Sequence, residues 1–409
     1  VTLQPVIDPS LATNGTTKSR VIQHGPFSDS SRTTRNDDMK PIWTTGAANP
    51  MSIVMFVPMI ADMSVKTMTH LLDDKQLLEQ LKAEKFDVAI TELFDFIGIG
   101  VLEAIGLKNI VGAHSSAIVE GTASAIGAPI IPSYMPASYG VTDDSTDIWT
   151  RFTNLMFTGA SWYFQTGVVS AIDRLLKEKL REKATPIWDI ISNMSWVLVN
   201  TEPLLDFDRP TLHKIVHVGG LSVHKPKPLS KEWNQILNLR PRTILISFGS
   251  VAQSVLMPDL MKKTIINVIK SRDKCQTRTK YSRHVLSRAL GGIVVEKSEL
   301  LGGKGLHKAI DQVIGDRRYQ TSASRISRLL SRRPFTPEDK LVKAIELAAE
   351  FGDLPESKVA GRNLGFIVYY NIDLLLMLTT IFLPFIGFIV YFVKLLGRRC
   401  FSSRKEKTQ

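Results

Sequence analysis

The sequence predicts an α/β body in two halves, followed by one membrane-spanning helix near the C-terminus. Helical and strand patterns alternate through most of the chain, which is typical of parallel-sheet folds. A Gly- and Pro-rich stretch at 219–230 interrupts this alternation and predicts a link between two domains. Residues 374–393 carry no charge, and a helix of that length spans about 30 Å, the hydrocarbon thickness of a bilayer.

Composition excludes several classes of protein. The chain has 409 residues, of which 44% are hydrophobic and 22% charged, so it is neither wholly disordered nor fibrous. Its two cysteines, Cys275 and Cys400, cannot build a disulfide framework or the usual Cys-rich zinc site. The net charge is +12, but much of the basic excess lies in residues 394–409. We therefore expect no global nucleic-acid-binding surface.

The elements of the first half follow from hydrophobic spacing. Residues 64–85 place leucines at helical intervals with charges between them, which predicts an amphipathic helix. The next residues form a short apolar run that ends at Glu92, as a buried parallel strand would. Further along, a helix is predicted at 97–107, with strands at 109–113, 196–200 and 216–218.

The second half begins with a predicted strand at 243–248, which breaks at Gly249 and Ser250 before a helix at 257–270. In α/β folds such a turn places free helix amides at the carboxyl edge of the sheet, where they can bind a phosphate. The basic segment 317–333 has the spacing of an amphipathic helix. We expect it to pack on its own domain with its charges in solvent rather than to bind nucleic acid.

The residues that flank the apolar run predict an orientation. Lys394, Arg398 and Arg399 follow it directly, so the C-terminus is expected to be cytosolic and the body lumenal or extracellular. Asn14 and Asn193 begin glycosylation sequons that suit a lumenal body. The final five residues, KEKTQ, are similar to a lysine-based retrieval signal of the endoplasmic reticulum. The chain opens without Met or a signal peptide, which is expected of a processed or fragmentary chain.

Several segments carry a resemblance to a known family. They include FDVAITE before position 93, ILISFGS before position 251, and the stretches 127–136, 217–233, 293–300 and 317–352. Together they resemble membrane UDP-glucuronosyltransferases of the UDP-glycosyltransferase family, in style closest to nematode forms. The resemblance implies two facing Rossmann-like domains of the GT-B type. The first would hold a small lipophilic acceptor and the second a UDP-sugar, with no metal and no resident cofactor.

The resemblance also sets the expected domain boundaries. They are an acceptor domain at 1–218 without its first strand and helix, a linker at 219–241, a shortened UDP-sugar domain with an envelope helix at 242–360, a transmembrane helix at 372–395, and a basic cytosolic tail at 396–409.

Candidate catalytic residues follow from the family's inverting reaction, in which a His deprotonates the acceptor and a carboxylate orients that His. Glu92 matches the position of the orienting acid, with Asp95 as a rival carboxylate. None of the eight histidines occupies the family position. His114 follows the next predicted strand, so it is a candidate surrogate base at the same sheet edge. The alternative interpretations are a solvated loop acid for Glu92 and a loop or acceptor-pocket residue for His114.

On the donor side, Gly249 and Ser250 match the family turn, and Gln276 matches the Gln of an Asp-Gln pair in which Cys275 replaces the Asp. The family's His-Gly-Gly donor signature has no counterpart. The sequence therefore leaves two hypotheses. The first is transfer of glucuronic acid, or another sugar, to lipophilic acceptors at the endoplasmic-reticulum membrane. The second is a non-catalytic membrane protein that binds lipophilic molecules or forms homo- or hetero-oligomers with relatives.

Overall fold

The structure is a computed structural model of the chain. It describes residues 1–6, 16, 18–26, 41–46, 49–181, 184–221, 223, 227–238, 246–248, 254–270 and 292–405, and the side chains of 41, 42 and 396–405 are outside this description. The chain divides into two compact units, Val1–Lys358 and Val359–Gln409.

The first unit opens with a small parallel sheet. Strand β1 (Thr2–Pro5) pairs with β2 (Val21–His24), with Thr2 opposite Val21. The described residues that follow form three helices: α1 (Pro41–Thr44), α2 (Met51–Asp73) and α3 (Lys75–Ala83). The small sheet is fastened to α3 at two points, because His24 Nε2 lies 2.8 Å from Asp74 Oδ2 and Arg20 pairs with Glu84.

Within the described ranges, the main sheet has four parallel strands in the order β3-β4-β5-β6. Its strands and the helices between them are β3 (Ala89–Glu92), α4 (Ile97–Ile105), β4 (Ile110–His114), α5 (Glu120–Ala125), α6 (Ile148–Leu180), α7 (Ile187–Asn193), β5 (Val197–Val199) and β6 (Ile215–His217). All four strands coincide with predicted ones, so the α/β class with a parallel sheet is confirmed.

The predicted helix at 64–85 was wrong in its extent. Helix α2 begins much earlier, at Met51, and a break at Asp74 separates it from α3. Asp74 leaves the helical conformation and its side chain accepts a hydrogen bond from the Leu77 amide, which caps α3. The predicted helix at 97–107 is confirmed as α4. It ends at Gly106, whose φ of +80° is readily available only to glycine.

The core of the first unit lies on one face of the main sheet. Helices α2 and α6 pack against each other so closely that a Cβ on Gly167 would lie 2.5 Å from Val57. The buried side chains Met68, Leu72 and Phe96 belong to this core. Burial of each apolar side chain of this size contributes about 1.5–3 kcal/mol.

A helix from much later in the chain covers the other face of the sheet. The later helices that the structure describes include α8 (Lys231–Asn238), α9 (Asp259–Lys270), α10 (Glu299–Gly302), α11 (Lys304–Gly315), α12 (Arg317–Ser331) and α13 (Pro337–Phe351). In α13, Ala348 is fully buried against Val111, Leu198 and Val218. Asn109 Nδ2 donates to Ala348 O at 2.7 Å, and Ser195 Oγ donates to Gly352 O at 2.8 Å.

The second half contains a smaller apolar cluster. Met257 and Met261 near the start of α9 pack with Trp43, whose ring lies 5.1 Å from that of Phe248. The predicted helix at 257–270 is confirmed. Of the predicted strand at 243–248 the structure describes residues 246–248, and these lie outside the described strands. Helix α8 falls within the predicted linker at 219–241, and the domain boundaries stay predictions.

The second unit is dominated by one apolar helix. After α14 (Phe366–Tyr369) comes α15 (Ile372–Lys405), which contains Pro384. In the described part of the chain, two helices are long and apolar enough to cross a membrane, α2 and the segment Ile372–Leu395 of α15. Helix α2 contributes Met68 and Leu71 to the core, whereas no residue of Ile372–Leu395 is buried. The predicted C-terminal apolar helix is present and fits a membrane anchor.

Candidate functional site

The carboxyl ends of the four strands meet at one edge of the main sheet. Glu92 pairs with Ala113, so the last residue of β3 lies beside the end of β4. His114 pairs with Val199, and Val199 pairs with His217. In parallel α/β sheets this edge is where ligands bind, because the loops that follow the strands converge there.

Glu92 is exposed at this edge, and its carboxylate reaches the loop after β4. Its Oε1 accepts a hydrogen bond from the Ser115 amide at 3.2 Å. Desolvation, and to a lesser degree the neighbouring Asp95 carboxylate, raise the pKa of Glu92. Because Glu92 is exposed at the edge, its carboxylate can accept a hydrogen bond from a base or from the hydroxyl group of a sugar-acceptor molecule.

Asp95, the rival carboxylate, has a local structural role. Its Oδ1 accepts from the Ile97 amide at 3.1 Å, which caps the first turn of α4. Burial raises the pKa of Asp95. The geometry therefore favours Glu92 over Asp95 as the acid that faces the edge.

His114 lies in the interior beneath the same edge and is only 4% exposed. Its Nε2 is 3.0 Å from Thr122 Oγ1, which also accepts from Gln165 Nε2 at 3.1 Å. Burial lowers the pKa of His114 to about 4. Among the described residues, the hydrogen bonds of Glu92 and His114 go to different partners. The structure therefore does not join the two predicted catalytic side chains.

Two further groups at this edge were missed by sequence reasoning. Glu120, the first residue of α5, is 6% exposed and its Oε1 accepts from the Ser138 amide at 2.8 Å. Burial raises the pKa of Glu120. Burial, together with the Glu120 and Glu92 carboxylates, also raises the pKa of Tyr139, so a neutral phenol lies near both acids. Neither residue belongs to a motif that could have identified it.

A small cavity lies beside Glu120 on the β5–β6 side. Its volume is about 30 Å³, and its polar lining includes Thr201, Arg209 and His217. Thr201 Oγ1 lies 2.8 Å from His217 Nδ1, and burial is the main cause that lowers the pKa of His217. Space of this size suits an ordered water rather than a lipophilic acceptor.

The segment that follows α12 reaches the same edge of the sheet. Arg333 Nη1 donates to Glu202 Oε2 at 2.7 Å and to Gly219 O at 3.3 Å, and both charged side chains are largely buried. A side chain on Gly219 would clash with the backbone of Thr201, since its Cβ would lie 2.4 Å from the Thr201 carbonyl carbon. Arg333, from the second half of the chain, therefore lies among the side chains at this edge of the sheet.

Four of the predicted site residues lie outside the described residues: Asn14, Gly249, Ser250 and Gln276. Asn193 is exposed at the end of α7, and its Nδ2 donates to Asp189 O at 2.9 Å. Within the described part of the chain, no group of three or more His, Cys, Asp or Glu side chains could hold a metal ion.

The chain is similar to known proteins over most of its length. A family model described as "UDP-glucoronosyl and UDP-glucosyl transferase" matches residues 19–269 and 283–407, well over half of the sequence. The chain is 24% identical over 396 residues to UDP-glucuronosyltransferase 1A7 of Mus musculus, an alignment that covers 82% of this chain and 74% of the mouse protein.

Two other relatives cover the chain to different extents. UDP-glucuronosyltransferase 3A1 of Bos taurus is 30% identical over 198 residues, 48% of this chain and 37% of the bovine protein. The Caenorhabditis elegans relative ugt-48 is 22% identical over 390 residues, 78% of this chain and 74% of the nematode protein.

Proposed function

The chain belongs to the UDP-glucuronosyl and UDP-glucosyl transferase family, and we propose that it transfers glucuronic acid, or another sugar, from a UDP-sugar to a small lipophilic acceptor. UDP-sugar glycosyl transfer follows from the family, whereas the acceptor class and the inverting mechanism are part of the proposal. The observation that supports the proposal most is the position of Glu92. It ends β3 at the carboxyl edge of the parallel sheet, with Tyr139 nearby.

In the proposed reaction a base removes the acceptor proton while Glu92 orients and stabilises that base. An alcohol or phenol is a poor nucleophile at neutral pH, so a base within hydrogen-bond reach is needed. A carboxylate behind a His fixes its tautomer and stabilises the imidazolium that forms. On the donor side we assign Gly249, Ser250 and Gln276 to the UDP group, whose leaving charge requires amide and hydroxyl donors. The reaction requires no metal and no resident cofactor.

We further propose that the protein works at the endoplasmic-reticulum membrane. The apolar helix α15 would anchor it once, with the body in the lumen and the basic tail in the cytosol, because Lys394, Arg398 and Arg399 follow the apolar segment. A lumenal body would carry glycans at Asn14 and Asn193. Association with a second copy or with relatives through the anchor is part of the same proposal.

Replacing Glu92 with glutamine tests the proposed mechanism. The substitution keeps the size of the side chain but removes the negative charge that orients the base. We expect transfer from UDP-glucuronic acid to a phenolic acceptor to fall on the order of a hundredfold. Rates are measured with the full chain in mild detergent, and thermal unfolding confirms that the variant folds.

The matched control is Glu79→Gln, the same chemical change on the exposed face of α3, which is expected to leave transfer unaltered. A loss at Asp95→Asn in place of Glu92→Gln would assign the orienting role to Asp95. No transfer by the wild-type chain with any UDP-sugar would refute the proposed activity.

A non-catalytic binding role is the second candidate, and the placement of His114 favours it. This histidine is buried and bonded to Thr122, and its lowered pKa makes the ring a weak proton acceptor in this conformation. Such a protein would bind lipophilic molecules or pair with relatives through the membrane helix.

UDP binding separates the two candidates. If the donor site works, UDP at ten times its Kd stabilises the folded chain by about 1.4 kcal/mol, which raises the melting temperature in a saturable way. The measurement is thermal unfolding of the detergent-solubilised full chain, with uridine as the control that lacks the diphosphate. No shift at millimolar UDP would favour the non-catalytic role.

A further inference from the structure

A groove on the surface of the first unit lies beside the C-terminal half of α12. Its volume is about 370 Å³, which lies within the range of roughly 300–1,000 Å³ that small-molecule sites occupy. Its lining combines four arginines with two leucines, and these residues are Arg325, Arg328, Arg332, Arg333, Leu204 and Leu329. The groove is therefore strongly basic but has apolar surface as well.

Three of the arginines recur along one side of the helical segment. Arg325 and Arg328 belong to α12, and Arg332 follows its last residue, Ser331. Intervals of three and four residues place side chains next to each other on a helix. At 1.5 Å per residue, the distance along the axis from Arg325 to Arg332 is about 10 Å. The three guanidinium groups can therefore reach one small ligand together.

In the described part of the chain, the fourth arginine alone has an acidic partner in this groove. Arg333 Nη1 donates to Glu202 Oε2 at 2.7 Å. The side chains of Arg325, Arg328 and Arg332 are exposed, and their guanidinium groups form no ion pair or hydrogen bond with a described residue. Helix α12 itself contains no acidic residue. Like charges this close repel one another, so a negatively charged ligand would relieve the repulsion.

The Arg333–Glu202 ion pair connects α12 to the loop that forms the other side of the groove. Glu202 lies after β5, and its Oε1 accepts a hydrogen bond from the Leu204 amide at 3.3 Å. Arg333 Nη1 also donates to Gly219 O at 3.3 Å, just after β6. Leu204 lines the groove although its side chain is 51% exposed. These bonds hold both sides together, so the groove is formed before any ligand binds.

The chemistry of the lining indicates the class of ligand. Guanidinium groups form bidentate hydrogen bonds with phosphate oxygens. Three unpaired guanidinium groups balance the charge of a diphosphate better than that of a carboxylate or a single phosphate. Inorganic diphosphate would leave much of the groove empty, and it would make no use of Leu204 and Leu329. A diphosphate that carries a short apolar group would contact both kinds of surface.

We propose that this groove binds a small organic diphosphate, with the two phosphate groups on Arg325, Arg328 and Arg332 and the carbon part against the two leucines. The proposal goes beyond the proposed function, since it requires neither sugar transfer nor the membrane anchor. Arg333 lines the groove and is also bonded to Glu202. A bound ligand would therefore contact a residue that is connected to the carboxyl edge of the main sheet.

Equilibrium dialysis of the full chain in mild detergent tests the site, with dimethylallyl diphosphate as the probe. We expect one probe molecule to bind per chain, about tenfold more tightly than inorganic diphosphate, because the probe alone buries carbon against the leucines. Equal affinity for the two compounds would overturn the assignment of an organic ligand. No saturable binding of either compound at millimolar concentration would overturn the site.

Variants assign the binding to the groove. Arg328→Gln is expected to weaken binding of the probe by about tenfold or more, because it removes charged hydrogen bonds to phosphate. The matched control is Arg317→Gln, the same change on an exposed arginine in the first turn of α12, about 16 Å from Arg328 along the axis. This control is expected to bind the probe as the wild type does, and thermal unfolding shows that both variants fold.

Two results would contradict the groove even if the probe binds. Equal weakening by Arg328→Gln and Arg317→Gln would mean that the whole basic helix attracts anions without a defined site. The second result concerns UDP, whose effect on the melting temperature is expected to be the same in Arg328→Gln as in the wild type. Loss of the UDP effect together with probe binding would mean that the probe occupies the UDP site. An absent UDP effect in the wild type, with probe binding intact, would contradict the proposed function and leave the groove supported.

Discussion

Replacing Phe96 with alanine is expected to lower the free energy of unfolding by about 3–5 kcal/mol. The Phe96 side chain is fully buried, and its ring packs edge-on against Trp188 with 6.1 Å between centroids. Alanine would leave a cavity that the neighbouring helices cannot close. The measurement is urea unfolding of the full chain in mild detergent, followed by tryptophan fluorescence.

The backbone of Phe96 makes the prediction more specific. Its φ of +58° lies in the left-handed region, which costs a residue with a Cβ about 1–2 kcal/mol. The packing of the Phe96 ring in the core stabilises this left-handed backbone conformation. Glycine adopts it without strain, so Phe96→Gly should be more stable than Phe96→Ala although it removes one more carbon. The reverse order, which is normal at helical positions, would show that the backbone relaxes when the ring is removed.

Most of the main sheet could be predicted from the sequence because its strands are short apolar runs bounded by polar or small residues. The strands that end at Glu92 and His114 carry that signal locally. The break between α2 and α3 is also local, since Asp74 caps α3, but it lies inside a leucine pattern that continues on both sides. Hydrophobic periodicity alone predicts one continuous helix for such a pattern.

No local pattern in the sequence predicted that α13 packs on the sheet. Asn109 bonds to Ala348, which is 239 residues later in the chain, and a contact of that range leaves no trace in local spacing. The spacing of residues 337–351 therefore predicts no packing against the sheet of the first half. Helix α6 also exposes apolar residues, among them Trp149 and Phe152, and their exposure could not be predicted from the sequence. A helix that is apolar on both sides looks like an ordinary core helix in sequence.

The candidate site was predictable in part. A carboxylate after a buried strand must lie at the sheet edge, and Glu92 does. The burial of His114 was not predictable, because it depends on Thr122 and Gln165, which come from α5 and α6. Glu120 was missed for the same reason, since the Ser138 hydroxyl and amide that bind its carboxylate lie 18 residues away.

Acidification is expected to destabilise the protein through His114. In the unfolded chain this residue titrates near its ordinary value of 6.5, whereas burial lowers its pKa in the folded state to about 4. Between these two values the unfolded state binds a proton that the folded state does not, so stability falls as the pH falls. The contribution of His114 is constant above pH 6.5 and decreases by about 3 kcal/mol by pH 4.

The difference between wild type and His114→Gln isolates this effect. Glu92 and Glu120 have raised pKa values, so the fold binds their protons more tightly than the unfolded chain does, and they act in the opposite direction over part of the same range. Because they are present in both proteins, their contribution cancels in the difference. Glutamine does not titrate, and its amide can still bond to Thr122. Urea unfolding from pH 7.5 to 4 should therefore give two stability curves that converge, or cross, as the pH falls. Parallel curves would mean that His114 takes up its proton without cost, which requires an open path from the sheet edge to its ring and would restore it as a candidate base.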